Sequence, residues 1–187
     1  MSLIDVYLGL GSNIERERHI LAALDALSAE FGQLDCSPVF ESEPVGIRSG
    51  CFYNMVVHLR TSLELPALVQ RLKAIEAQEG RLQAGPRELP LDIDVLLYGN
   101  LAGDFDGIVL PRPRILESAH VLWPLALLAP QLQHPGGRLS YAELWRASST
   151  DYSLWPVALC WKDQPLTPAW IQGQAQGPMK RAAGLLC

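Results

Sequence analysis

Two acidic residues interrupt an otherwise apolar and β-prone segment of the chain, Leu91–Gly99. Side chains two positions apart on a strand point to the same face, so Asp92 and Asp94 would present their carboxylates side by side. Like charges at that distance repel, and the pair therefore needs a cation or a shared proton. In nucleotide-using enzymes, Mg2+ takes one or two carboxylates and completes its shell with water and phosphate. The segment indicates a magnesium site, and the alternative is a solvated polar face on an edge strand.

The composition narrows the classes of function. The 187 residues suffice for one domain with an appendage, and an apolar content of 49% is enough for a full core. The net charge of -5 and the pI near 5.3 argue against a nucleic-acid surface. Neither a signal peptide nor a membrane-spanning run is visible, and the four cysteines lack the Cys-x-x-Cys spacing of zinc sites. We therefore expect a cytoplasmic protein that binds neither nucleic acid nor membranes.

Strand-like and helix-like segments alternate in the order β-α-β-β-α-β. Asn13 is placed to cap the first helix, and Pro66 suits the first turn of the second. This order predicts a two-layer α+β sandwich with a largely antiparallel sheet. The expected strands are 5–10, 39–42, 52–59, 91–99 and 108–110, and the expected helices lie around 20–27, 66–79 and 119–128.

The character of the chain changes near Thr150. Tryptophans stand among prolines and glycines there without clear periodicity, and the last residues read as a loose tail. We therefore divide the chain into a domain of residues 1–149 and a C-terminal extension, 150–187, of unknown role.

Several short motifs occur in an order and at a spacing that together are specific, although each alone is weak. Over about residues 3–145 the chain resembles the 6-hydroxymethyl-7,8-dihydropterin pyrophosphokinase family. The resemblance implies a ferredoxin-like α+β fold, a two-layer or three-layer sandwich. It also implies transfer of diphosphate from ATP to the pterin hydroxymethyl oxygen, with release of AMP and two Mg2+ ions. The motifs are Tyr7–Asn13, Phe40–Gly46, Phe52–Asn54, Glu79–Arg81, Pro90–Asn100, Leu122–Leu125 and Ala129–Pro130.

The resemblance implies a role for the charged residues. Asp92 and Asp94 match the pair that holds Mg2+ against the ATP phosphates. Arg81 and Arg87 match catalytic cations of the loop that closes over ATP, because guanidinium groups suit phosphate oxygens and stay charged. Arg112 is expected to contact ATP as well. For Arg81, the alternative is an ordinary charge at a helix C-terminus.

The pterin end of the site is implied in the same way. An amide both donates and accepts hydrogen bonds, as the edge of a pterin requires, and Asn54 matches the asparagine in that role. The alternatives are a polar residue at a strand end for Asn54, core packing for the aromatic residue and a simple turn for the loop. The full set of expected pterin contacts is Ser42, Pro44, Val45, Phe52, Asn54 and His120.

Five departures from the family pattern lie in the loop before the β-prone segment 91–99 and in the segment after it. Arg87 lies two residues further from Asp92 than usual, in a loop that is shorter than usual. Arg112 stands where the family usually has histidine. Ser118 and His120 stand where it usually has arginine and phenylalanine, so one phosphate cation is lost and the second ring of the pterin sandwich becomes an imidazole.

Three accounts of function follow. In the first, the chain is a working but divergent pyrophosphokinase whose small-molecule substrates are ATP and the pterin. In the second, it is an altered or inactive paralogue that binds a pterin or nucleotide. In the third, the fold is a binding or dimerisation module without chemistry. Retention of both metal carboxylates favours the first, because unpaired like charges cost stability. We expect a monomer or weak dimer.

Overall fold

Antiparallel strands form the central layer of the protein. The computed structural model describes residues 2–44, 49–148 and 153–173. The main sheet has the order β5-β1-β4-β3-β8, and β2 also pairs with β4. The strands are β1 Ile4–Ser12, β2 Asp35–Cys36, β3 Val39–Ser42, β4 Phe52–Thr61, β5 Asp92–Tyr98, β6 Gly103–Phe105, β7 Ile108–Leu110, β8 Leu154–Val157, β9 Cys160–Trp161 and β10 Gln164–Pro165. The helices are α1 Arg16–Phe31, α2 Leu65–Gln78, α3 Ala119–Leu128, α4 Tyr141–Ala147 and α5 Ala169–Gln172.

Helices cover both faces of the sheet, so the sandwich has three layers. Val6, Leu8 and Leu10 of β1 are buried in one core with apolar residues of α1 and α2. Alternate positions of the sheet face the opposite way, and Val56 is buried there in a second core with residues of α3 and α4. The prediction of an α+β fold with a largely antiparallel sheet is confirmed. The two layers expected from the order of elements are wrong, because α3 and α4 cover the second face and make a third layer.

A β-bulge interrupts the pairing of β5 with β1. Tyr7 pairs with Leu97 and Leu8 with Val95, which leaves Leu96 as the extra residue. Before the bulge, Ile93 and Val95 face α1 and α2. Because the bulge changes the alternation, Leu96 and Leu97 both pack on the α3 side. The two aspartates precede the bulge, so they also lie on the α3 side of the sheet.

Residues 153–173, the described part of the predicted C-terminal extension, supply a strand of the main sheet and pack with the rest of the fold. β8 pairs with β3, and the backbone N–H of Val39 donates to Thr167 Oγ1 at 3.0 Å in the interior. Ile171 is fully buried beside Phe40 and Trp123. The predicted loose tail lies outside the described residues, as do the residues at the predicted boundary, 149–152.

The predicted helices α2 and α3 occur at the expected places, with proline at the start of α2. The prediction that Asn13 caps α1 is wrong, because Glu15 occupies the N-cap and makes no side-chain capping hydrogen bond. The Asn13 side chain instead binds the loop before β5. Within the described residues, no helix combines the length and apolar character needed to cross a bilayer.

Candidate active site

One row of residues crosses the sheet on its α3 side and carries both halves of the predicted site. Asp92 pairs with Gly11, Gly11 with Asn54, and Asn54 with Phe40. Neighbouring strands lie about 4.8 Å apart, so the backbones of Asp92 and Asn54 are separated by roughly 10 Å. The residue between them is a glycine, and no side chain of β1 fills that gap. The sheet therefore brings together the predicted metal carboxylates and the predicted pterin amide.

Asp92 and Asp94 are both half-buried. Burial and the neighbouring Asp92 charge raise the pKa of Asp94, while Arg112 and Lys73 act in the opposite direction. Arg112 Nη2 donates to Asp94 Oδ2 at 2.9 Å. Two like charges side by side favour a nearby cation, as the sequence predicted, and Arg112 supplies one positive charge beside Asp94.

The two carboxylates fit Mg2+ as an incomplete donor set. Both offer hard oxygen atoms from one strand face, and Mg2+ is commonly bound by one or two carboxylates with water and substrate phosphates. Among the residues described, no cluster of three or more histidine, cysteine or acidic side chains could enclose a metal ion. Asp92 and Asp94 could hold such an ion with water and phosphate as its further ligands.

A buried acid, Glu76, fixes the strand that carries the aspartates. β5 is the last strand of the sheet, so its outward N–H groups lack a strand partner. The Ile93 N–H donates to Glu76 Oε1 at 2.7 Å, and Lys73 Nζ lies 2.8–2.9 Å from both carboxylate oxygens. Sequence reasoning missed Glu76. Its signal was a charged residue four positions after Leu72, on the apolar face of α2.

The predicted pterin end contains a buried polar pair. Asn54 Nδ2 donates to Ser42 Oγ at 2.8 Å, and both residues are less than 10% exposed. A Cβ atom added at Gly11 would lie 3.7 Å from Asn54 Oδ1, so this oxygen points toward β1 and the carboxylates. Asn54 Oδ1 accepts no hydrogen bond from the residues described. One acceptor and the second amide hydrogen thus stay available to a ligand.

Two aromatic residues were expected beside the amide. Phe52 is half-buried, and its Cδ1 would lie 4.0 Å from a Cβ at Gly11, so it borders the same open stretch of β1. His120 is in the first turn of α3, and burial lowers its pKa, which favours the neutral ring. Pro44 is half-buried at the end of the described loop. Val45 lies outside the described residues.

The predicted phosphate arginines lie in the loop between α2 and β5. The Arg81 N–H donates to Glu76 O, and the Arg87 carbonyl accepts from Asn13 Nδ2 at 2.9 Å. Asn13 Oδ1 accepts from the Leu89 N–H at 2.6 Å. These bonds hold the loop at the end of β1, close to the start of β5. Neither guanidinium group has a hydrogen-bond or ion-pair partner in the described part of the chain, and both are free for an anion.

A cavity of about 520 Å³ lies elsewhere on the α3 side, with walls from the end of α3, Tyr7 and His58. His58 lies between two carboxylates, 2.8 Å from Asp5 and 2.9 Å from Asp35, and its ring stacks on Tyr7. None of the predicted site residues lines this cavity. The geometry of the row across the sheet does not depend on it.

Comparisons with known proteins agree with the resemblance. A family model described as 7,8-dihydro-6-hydroxymethylpterin-pyrophosphokinase (HPPK) matches residues 7–130. The 2-amino-4-hydroxy-6-hydroxymethyldihydropteridine pyrophosphokinase of Pseudomonas aeruginosa is 41% identical over 140 residues, which cover 71% of this chain and 85% of that protein. The enzyme of that name from Aquifex aeolicus is 36% identical over 136 residues, covering 70% of this chain and 83% of that protein.

Larger proteins are similar over one part of their length. A folic acid synthesis protein of Pneumocystis carinii is 34% identical over 158 residues, but this chain covers only 21% of it. A crystal structure of Plasmodium falciparum HPPK-DHPS with pterin and p-hydroxybenzoate has a TM-score of 0.67 at 12% identity, covering 88% of this chain and 48% of that chain. At this identity the structural similarity shows the fold.

Proposed function

Because the chain belongs to the 7,8-dihydro-6-hydroxymethylpterin-pyrophosphokinase family, we propose that it transfers diphosphate from ATP to 6-hydroxymethyl-7,8-dihydropterin. The products are AMP and the pterin diphosphate, a step of folate biosynthesis. The observation that carries the proposal is the row across the sheet. In that row the backbone of Asp92 lies roughly 10 Å from that of Asn54, which supports a site where carboxylates for Mg2+ face a buried amide that suits a pterin edge.

The reaction requires the protein to align the nucleophile with the leaving group, and it requires no covalent intermediate with the protein. The pterin hydroxymethyl oxygen attacks the β-phosphorus of ATP, and the bond from that phosphorus to the oxygen bridging the α-phosphorus breaks. AMP leaves with that oxygen. Two Mg2+ ions, when bound, neutralise phosphate charge and stabilise the attacking and leaving oxygens. Asp92 and Asp94 would hold these ions on β5, the strand that Glu76 anchors.

Arginines complete the ATP side of the site. Arg81 and Arg87 have guanidinium groups without partners among the described residues, on a loop that Asn13 fixes near β5. Guanidinium groups bind phosphate oxygens in a bidentate manner and keep their charge. We assign both to the phosphates of ATP as catalytic cations. Arg112 lies beside Asp94, and we assign it to ATP as well.

The pterin binds at the other end of the row. Asn54 offers its free amide oxygen and its second N–H to the ring edge, while Ser42 fixes the amide orientation. Phe52 and the neutral ring of His120 provide flat surfaces for stacking. The loop residues Pro44 and Val45 belong to the proposed contacts on the basis of the family pattern alone.

Three further properties are part of the proposal. The chain works as a monomer or weak dimer. It binds small molecules rather than nucleic acid, in keeping with its net charge of -5. It acts in the cytoplasm, where ATP and Mg2+ are available.

The test is AMP release from purified protein supplied with ATP, Mg2+ and 6-hydroxymethyl-7,8-dihydropterin. The proposal predicts AMP formation that requires both Mg2+ and the pterin, and its loss in Asp92→Asn and Asp94→Asn. Circular dichroism should show that both variants keep the fold. Absence of AMP, with pterin or ATP binding still detectable by calorimetry, would favour the altered paralogue. The observation that supports this second candidate is the ion pair of Arg112 with Asp94, because the family usually has histidine at the position of Arg112.

A further inference from the structure

Arg112 is held against Asp94 by the backbone as well as by its charge. The Arg112 N–H donates to Leu96 O at 2.9 Å, so the segment after β7 is fixed along the open edge of β5. From there the guanidinium reaches back, and Nη2 donates to Asp94 Oδ2 at 2.9 Å. The fold therefore fixes the backbone of Arg112 beside β5, within reach of Asp94.

This contact uses an oxygen that a metal ion would need. The described residues offer two carboxylates here and no third acidic or histidine ligand, so each oxygen counts. A fixed positive charge next to Asp94 also repels a divalent cation. Arginine cannot lose its proton in a protein, and its charge can be withdrawn only by moving the side chain to another anion. The Arg112 side chain is 49% exposed, which leaves it room to move.

We propose that Arg112 keeps the metal site closed until nucleotide arrives. The guanidinium pairs with Asp94 before nucleotide binds and transfers to the triphosphate when ATP binds, which frees the carboxylate for Mg2+. The inference rests on the proposed function, because the triphosphate is the anion that recruits Arg112. It goes further by making metal binding and nucleotide binding positively coupled, with equal effects in both directions.

The experiment measures Mn2+ affinity by electron paramagnetic resonance of the free ion. Wild type and Arg112→Gln are titrated alone and with α,β-methylene-ATP, whose α–β bridge cannot be cleaved. Without nucleotide, Arg112→Gln should bind Mn2+ roughly three- to tenfold more tightly than wild type, since a competing cation is gone. With the analogue, wild type should gain more Mn2+ affinity than the variant does.

The matched control is Arg71→Gln. It removes the same charge and also breaks an exposed ion pair, Arg71 with Glu30 at 3.4 Å, but on the layer across the sheet. Its Mn2+ affinity should equal that of wild type. An equal gain in Arg71→Gln and Arg112→Gln would trace the effect to net charge and overturn the proposal. Thermal unfolding of each variant checks that the fold is unchanged.

Other outcomes separate this inference from the proposed function. Equal nucleotide-free Mn2+ affinity in wild type and Arg112→Gln would overturn it while leaving the metal site in place. If Arg112→Gln binds Mn2+ more tightly than wild type, but the analogue raises the Mn2+ affinity of both proteins equally, the transfer of Arg112 to phosphate would be overturned. Failure of both proteins to bind Mn2+ even with the analogue would overturn the metal assignment, and this inference with it.

Discussion

Glu76 is the residue whose replacement tests how the metal strand is held. Its carboxylate is 3% exposed, accepts the Ile93 N–H and pairs with Lys73. Glu76→Leu leaves a buried N–H without a partner, which costs about 1–3 kcal/mol. Loss of the partly exposed ion pair adds up to about 1 kcal/mol, and better burial of the apolar replacement offsets part of the sum. We expect a loss of about 1–3 kcal/mol in the free energy of unfolding.

Glu76→Gln separates the hydrogen bond from the charge. Its amide oxygen can still accept from Ile93, but its NH2 group faces the Lys73 ammonium, so only the ion pair is lost. The expected cost is about 1 kcal/mol or less. Urea denaturation followed by circular dichroism measures both variants. Since about 1 kcal/mol shifts the melting temperature of a domain of this size by about 2–4 °C, thermal scans give a second readout.

The control for Glu76 is Glu30→Gln, which removes an exposed acid of α1 that pairs with Arg71. Its unfolding free energy should change by less than about 0.5 kcal/mol. Glu76→Leu should also weaken Mn2+ binding in the presence of nucleotide more than Glu76→Gln does. Equal stability of the two Glu76 variants, within about 0.5 kcal/mol, would refute the argument that the bond to Ile93 anchors β5.

Three other variants test the remaining parts of the site. Asn54→Ala should weaken pterin binding about tenfold or more while ATP binding stays unchanged by calorimetry, since it removes an amide that Ser42 orients; equal losses would count against the role. His120→Gln should flatten the pH dependence of stability. Burial lowers the pKa of His120 in the folded protein. Wild type therefore loses stability as the pH falls from the unfolded pKa of about 6.5 to the folded pKa, by at most about 1.4 kcal/mol per pH unit. If urea titrations gave parallel stability curves for wild type and variant, His120 would not contribute. Asn13→Ala should raise the KM for ATP several-fold through the freed Arg87 loop with little change in pterin affinity, and an unchanged KM would remove the loop from ATP binding.

The local features of the site followed from sequence because they depend on short spacings. The alternation around Asp92 and Asp94 placed both carboxylates on one strand face, and the structure has that face. The start of α2, with Pro66 in its first turn, and the span of α3 likewise depend on neighbouring residues. The residues that determine such features lie within about ten positions of one another in the sequence.

Features that join distant segments could not be predicted in this way. Asn13 had the residue type of a helix cap, but two hydrogen bonds to residues more than 70 positions away decided its role. Glu76 acts on Ile93 across 17 positions, and the ion pair of Arg112 depends on a backbone bond to β5. The pairing of β8 with β3 is longer in range still. Each requires the tertiary fold before the contact exists.

Product stoichiometry tests the central claim most directly. Phosphorus NMR of a reaction with purified chain, ATP, Mg2+ and 6-hydroxymethyl-7,8-dihydropterin reports every phosphate species. Attack at the β-phosphorus transfers the diphosphate unit as a whole. It therefore predicts AMP and pterin diphosphate in equal amounts, with no ADP and no free diphosphate. Formation of ADP, or AMP with free diphosphate in place of the pterin product, would contradict diphosphate transfer on this sheet face.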